Sequence, residues 1–372
     1  MTVAEPLRST SRPPAEPMSR FRRFVEVDYA TRPDVLGAFR VCFGVLTLWL
    51  GPPPIRALAD LPDVAFEPPP GLARLWQSWP PPEVLFALDA MWICFALLVT
   101  IGWRTRASSI ALAAVTIVSS SILFSTGKID HTVFTALVPL LGGLAGWGNS
   151  VSFDAKRAGH SNRRPPTSAN WPLSLLAGLL ALGFFTAAVP KIAGGWLDPR
   201  TQAAEGYFRD DLLLRDRTDL LAPLAARVES SLVWELLDVA TVAFELGVAV
   251  ALLNALWFRR TLLVAVGFHV GVLAIMNISF LALPPVYALL LLPGLDPTSA
   301  QRLAARVHDR QPMLWIAALA LAVMNLWQAP TTALVNTLDV SRLGVRAAEL
   351  GVMCCAVVWL GLNQRRPTDS TV

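Results

Sequence analysis

Ten apolar runs follow one another along this chain, at roughly 34–51, 83–101, 107–124, 131–147, 171–190, 233–255, 260–281, 283–294, 312–328 and 343–362. A helix needs about 20 such residues to cross the hydrocarbon core of a bilayer. A soluble fold of 372 residues would also need polar surface that is missing here. Charged residues make up 16% of the chain, against about 25% in globular domains, while 54% are hydrophobic. Mean hydropathy is +0.51. A soluble enzyme, a nucleic-acid binder and a disulfide scaffold are therefore excluded. The expected fold class is all-α, a polytopic membrane helix bundle of about ten transmembrane helices.

The net charge of +4 does not point to nucleic acid, because the basic residues sit between apolar runs. Arg104 and Arg106, then Lys156, Arg157, Arg163 and Arg164, then Arg259 and Arg260, then Arg302, Arg306 and Arg310, and finally Arg365 and Arg366 follow the even-numbered runs. The positive-inside rule places all of these, and both termini, in the cytoplasm. Residues 1–33 are rich in Pro, Ser and Arg and read as a disordered cytoplasmic tail, not a signal peptide. The span 34–295 reads as one eight-helix membrane domain, 296–364 as two added membrane helices, and 365–372 as a short tail. Localisation is expected at a bacterial plasma (inner) membrane. Cys42, Cys94, Cys354 and Cys355 all fall in apolar runs, and no cysteine or histidine spacing suggests a metal, so none is expected.

On the opposite side lie two long segments. Residues 52–82 carry three Pro-Pro-Pro triplets with Trp76 and Trp79, and residues 191–232 carry charges of both signs. Loops this long are often functional. Leu212, Leu213, Leu220, Leu221 and Leu224 have the spacing of short amphipathic helices that cap the bundle. No internal repeat is visible, so an inverted-repeat transporter gains no support.

Ionisable groups inside apolar spans are costly and each asks for an explanation. Arg40 lies within the first run, close enough to its cytoplasmic end to snorkel back. Glu235, Asp238 and Glu245 share one face of the sixth helix, and Glu245, the deepest, must face the bundle interior. His269 lies near the middle of the seventh helix, with Asn277 two turns on. Asp130 precedes His131 and has the chemistry of a helix N-cap. Lys191 follows Pro190 at the outer end of the fifth helix, with Trp196 beyond it. It reads either as an interfacial lysine beside an aromatic belt residue or as an amine in a partly dry pocket. In the second case desolvation favours the neutral amine, which can act as a base.

Four stretches resemble the membrane domain of the vitamin K-dependent gamma-carboxylase and its bacterial relatives, the HTTM (horizontally transferred transmembrane) proteins. They are 33–44 with Phe39-Arg40 and Gly44; Asp130-His131 with Phe153-Asp154 downstream; Phe184-Phe185-Thr186-Ala187-Ala188 through Lys191 and Trp196; and Phe268-His269 with Phe280. Glu245 falls where that family has a carboxylate on the preceding helix. The resemblance spans roughly 28–295. It implies a quinone or hydroquinone cofactor, deprotonated by Lys191 in an outer cavity that His131 and His269 help to line. Arg40, Asp130, Trp196, Glu245 and Asn277 are the further binding candidates. Asp130 stands for the family's Asn, and Ala188 for its Gly. Two extra helices follow in place of a large peptide-recognition domain, so carboxylation of a peptide glutamate is not expected.

Three function classes follow. One is an enzyme using a lipid-soluble hydroquinone, with Lys191 as base; a closed, one-sided cavity favours it. The second is a non-enzymatic membrane partner for maturation, export or immunity of a secreted peptide or protein; paired Lys191 and Glu245 under a flat outer face favour it. The third is a small-molecule transporter, which needs a continuous polar path. Membrane lipid is the expected partner in every case, and nucleic acid in none. The topology has a direct check. Cysteines placed near Trp76 and at Asp210 are expected to react with an impermeant reagent in intact cells, and those at Ser161 and Ser299 only after permeabilisation. Reaction of S161C in intact cells overturns the helix count.

Overall fold

Prolines and glycines punctuate the apolar runs into helices. The computed structural model describes residues 18–127, 129–159, 170–327 and 342–365, with backbone alone over 342–349. Its helices are α1 (Arg20–Glu26), α2 (Pro33–Leu50), α3 (Pro82–Ile101), α4 (Thr105–Leu123), α5 (Phe134–Leu144), α6 (Phe153–Arg157), α7 (Trp171–Ala193), α8 (Ala203–Leu214), α9 (Ala222–Ala225), α10 (Ser231–Ala251), α11 (Ala255–Met276), α12 (Leu283–Leu291), α13 (Pro297–Asp309), α14 (Gln311–Leu326) and α15 (Arg342–Leu362). No strand occurs among the described residues. α2 and α3 both open with proline at their first position, where the missing N–H costs nothing. α3 stops at Gly102, whose φ of 75° is left-handed and whose N–H returns to Leu98 O at 2.9 Å.

Five segments are long and apolar enough to cross a membrane: Pro33–Leu58, Pro82–Ile101, Thr105–Thr126, Trp171–Ala193 and Ala255–Met276. The other expected spans are coarser matches. α5, α12 and α14 are short apolar helices, and α10, although 21 residues long, carries Glu235, Asp238 and Glu245. α12 is nine residues plus a 3-10 turn at Leu292–Gly294. Tyr287, Leu289, Leu290 and Leu291 are fully buried, and the helix packs on α5, α7, α11 and α15. It is a core helix surrounded by longer ones.

Two sequence expectations change. The stretch 1–33 is not disordered throughout: α1 is capped by Ser19 and docks on α7, where Asn170 Nδ2 donates to Glu26 O at 2.5 Å and Ser174 Oγ to Phe24 O at 2.7 Å. Tyr29 is buried edge-on to Phe24, and burial pushes its phenol pKa up. Residues 1–17 lie outside the described residues. The basic stretch around Arg302 and Arg306 is not a loop but α13, capped by Asp296, which accepts from Ser299 N at 2.9 Å. Hydrogen bonds from Ser299 hold that carboxyl below its usual range. Ser299 itself is buried, so the exposed His308 replaces it as the inner cysteine probe; Ser161 lies outside the described residues.

Chain connections put 52–82, the end of α4, the start of α5, the end of α7, α8, α9 and the start of α10 at one end of the bundle. Glu67 N reaches Ser125 O at 3.0 Å there, and Leu221 N reaches Ala274 O at 2.9 Å. The opposite end is organised by Arg40, which is fully buried. Its guanidinium donates to Thr100 O at 2.7 Å, to Val151 O at 2.5 Å, to Trp147 O at 3.3 Å and to Val99 O. Arg40 thus ties α2 to the end of α3 and to the turn after α5. Asp154 adds to this junction by capping α4, accepting from Arg104 N at 2.8 Å and Thr105 N at 2.7 Å. Replacing Arg40 by Met removes its donors from Thr100 O and Trp147 O, at about 1–3 kcal/mol each, while Val99 O keeps Gly102 N and Val151 O keeps Gln311 Nε2. The thermal midpoint of the purified protein is expected to fall by at least ~5 °C, with R40K recovering only part of it; an unchanged midpoint for R40M would show that Arg40 is not the tie.

Candidate functional site

The candidate residues divide into an ion pair and a cavity. Lys191 lies in the last turn of α7, which continues through Pro190. Glu245 points inward from α10, which packs against α7. The Lys191 amine is 2.5 and 2.7 Å from the two Glu245 oxygens and 3.3 Å from Ala187 O. The Trp196 ring lies 5.4 Å from the amine. Glu245 is only 7% exposed and Lys191 23%. Both carboxylate oxygens contact the amine, so the nitrogen that a base would need free is held in an ion pair.

His269, on α11, is also buried and shares a 2.7 Å hydrogen bond with the Tyr287 hydroxyl of α12. The expected interior facing of Glu245 and His269 is seen, but the two do not pair. Aromatic rings stand between the ion pair and the rest: Phe244 edge-on to Phe184 at 5.5 Å, Phe184 beside His269 at 6.1 Å, then Phe280 between His269 and His131 at 4.4 Å from each.

His131 belongs to the second group. A cavity of about 570 Å³ is lined by α2 (Phe43, Leu46, Thr47, Leu50), by Pro52, Pro53 and Pro54, by Trp92, by α4 (Leu112, Thr116, Ser120, Leu123), by His131 to Val138, and by Asn277 to Pro285 in part. On α4 the lining positions recur at four, four and three residues, a single face. Deep in the cavity Trp92 Nε1 donates to Thr116 Oγ1 at 3.0 Å, and Thr116 donates on to Leu112 O at 2.7 Å. At the rim, Thr132 Oγ1 and Ser279 Oγ are buried without a hydrogen-bond partner. Below the floor, the rings of Phe39, Phe43 and Trp147 lie 5.6–6.4 Å apart, above Arg40.

Two further candidates are structural links. Asp130 caps the turn that carries His131, accepting from Thr132 N at 2.8 Å. Asn277 ends α11 in a left-handed conformation, φ 54°, which Asn tolerates better than most residues. Its side chain accepts from Asp219 N at 2.9 Å and donates to Asp219 O at 3.0 Å, latching the segment between α8 and α9 beside the cavity. Asp238 performs a related task, accepting from Ala204 N at 2.8 Å at the start of α8.

Lys191, Glu245, His269, Trp196 and Arg40 do not line the cavity; His131 and Asn277 do. Sequence reasoning missed the hydroxyl wall, although the Thr116–Ser120 spacing in an apolar run was its visible signal. It also missed Asp89, which pairs with Arg56 at 2.5 Å. The isolated carboxylate in the second run was the signal there. Among the described residues no group of three metal-ligating side chains occurs. No family model, curated protein or solved structure matches the chain.

The ion pair has its own test. Lys191→Met leaves Glu245 unpaired, which costs about 3–5 kcal/mol for a fully buried pair and less where the lysine is partly exposed. Membrane abundance of K191M is expected to fall, and the K191M/E245M double variant to recover it. Full abundance of K191M with loss of activity alone would instead mark the lysine as a base.

Proposed function

We propose that this is a multi-pass membrane protein, both termini cytoplasmic, that receives a lipid-soluble molecule into a cavity open at its outer face. Lys191 belongs to its scaffold, not to its chemistry. The observation that carries this reading is the separation of the cavity from the Lys191–Glu245 pair. The cavity has the size of small-molecule sites, ~300–1,000 Å³, and a mostly apolar wall with a few polar groups at one end. Its aromatic floor argues against a continuous polar path and so against transport. The hydroquinone implied by the resemblance belongs in this same cavity. Among the residues described on the wall His131 is the one titratable side chain, so it would be the group to hold a hydroxyl of such a molecule and accept its proton.

A second reading, a non-enzymatic partner for maturation, export or immunity of a secreted peptide, draws on the same pairing, which leaves Lys191 without a free base. The two readings part at one experiment. Thr116→Trp fills the middle of the cavity. Lipids extracted from purified wild-type protein are expected to include one species, by mass spectrometry, that T116W lacks while remaining folded by circular dichroism. If T116W retains the same lipids as wild type, the cavity is not a lipophile site and the second reading stands.

A further inference from the structure

We propose that α1 is an in-plane helix of the cytoplasmic leaflet, with Phe21 set among the acyl chains and Arg20 and Arg22 among anionic lipid headgroups. The placement rests on the multi-pass reading with cytoplasmic termini and adds a lipid partner for one of its surfaces.

Depth comes from the docking of α1 on α7. Asn170 immediately precedes α7 and Ser174 lies in its first turn; their side chains donate to Glu26 O and Phe24 O at 2.5 and 2.7 Å. α7 is 23 residues long, about 34 Å, against ~30 Å of hydrocarbon. Its first turn therefore stands at the edge of the hydrocarbon, and α1 stands beside it. Trp171 and Leu175, in the first turns of α7, are exposed. Tryptophan is enriched at that boundary, and an exposed leucine on a spanning helix faces lipid.

Residue placement around α1 sets its orientation. At about 100° per residue, Phe24, Phe21 and Val25 share an arc of about 100°. Phe24 packs on the bundle core, edge-on to Tyr29, and Val25 is partly covered. Phe21 lies between them in angle and one turn nearer the N-terminus, and it is 78% exposed. An aromatic ring that overhangs the bundle on its packed face, at the height of the bilayer edge, has acyl chains for neighbours. Apolar residues on one face and arginines outside it are the pattern of a helix that lies in the interface.

Charge selects the headgroup. α1 carries three arginines against one glutamate. Arg20 and Arg22 flank the apolar arc, about 40° and 60° beyond its two edges, where phosphates meet a helix lying in the membrane plane. Among the described residues Arg20 makes no ion pair, while Arg22 pairs with Glu26 at 3.0 Å and Arg23 with Asp28 at 3.2 Å. Those two arginine side chains stay 64% and 70% exposed. Pairs so exposed are weak, so Arg22 is able to share its guanidinium with a lipid phosphate. Anionic lipids of the cytoplasmic leaflet attract juxtamembrane arginines of this kind.

The test uses the full chain in nanodiscs of equimolar phosphatidylcholine and phosphatidylglycerol. Photoreactive p-benzoylphenylalanine is placed in place of Phe21 and, as a lipid-facing reference, in place of Leu175. Irradiation is expected to give phospholipid adducts at both positions by mass spectrometry. At the Phe21 position phosphatidylglycerol adducts should exceed phosphatidylcholine adducts about fivefold. Adding R20Q/R22Q, in protein that stays monodisperse on gel filtration, should bring the two lipids to near parity. Adducts at the Leu175 position but none at the Phe21 position, or a cross-linked dimer of the chain in place of a lipid adduct, overturn the in-plane placement. Parity with both arginines present, or an excess that survives R20Q/R22Q, overturns the headgroup assignment. Absence of adducts at both positions defeats the multi-pass reading itself and not the placement of α1 alone.

Discussion

A guanidinium in an apolar bundle must be fully hydrogen-bonded or the helices around it will not hold. Arg40 meets that condition without a carboxylate in ion-pair contact among the described residues. It uses carbonyls from the end of α3 and from the turn after α5. Those carbonyls carry the partial negative charge of helix ends, so they receive a cation well. Gly102 permits the arrangement: a Cβ there would stand 3.0 Å from the guanidinium carbon. α2, α3 and α5 are fixed at this end, and the cavity lies between residues of the same helices further along.

The same rule, that charge in a dry interior is spoken for, explains why Lys191 and Glu245 belong together. Each alone would be an unpaired charge in a helix that faces others. Together they join α7 to α10 where α10 carries too many carboxylates to rest in lipid by hydropathy alone. Asp238 answers the same difficulty differently, by taking a backbone amide of α8. Two of the three carboxylates that the sequence places on one face of α10, Glu245 and Asp238, thus have separate partners, and Asp238 organises the cap.

Much of this architecture is legible in the sequence because hydropathy and helix punctuation are local properties. The apolar runs among the described residues fall on helices, and short helices, α8 and α9, do form in the 191–232 segment, although Leu220 and Leu221 lie before α9 and Leu213, Leu220, Leu221 and Leu224 are exposed. What was not legible depends on contacts between distant segments. α1 reads as a tail because seven residues carrying three arginines cannot show that Asn170 and Ser174 will cap their carbonyls. α13 reads as a loop because its basic face masks a buried one at Ala300, Ala304 and Val307. For the site, sequence ranks residues by charge, and charge drew the eye to Lys191. The cavity wall is made of hydroxyls and hydrocarbon, which look like ordinary helix.

That bias has a physical root. In a membrane interior a charged side chain is more often held than free, because freedom would leave it unsolvated. A base must be free at the moment it acts. A lysine with 2.5 and 2.7 Å contacts to both oxygens of a carboxylate therefore carries less chemical meaning than its type suggests. An imidazole on a cavity wall carries more, since it is polar without demanding a permanent counter-ion. His131 is packed on Phe280, which lies against His269, itself fixed by Tyr287, and the His131 ring also hydrogen-bonds the Ser279 backbone. Of the titratable residues that the sequence singles out, the one placed to meet a ligand in the cavity is therefore His131.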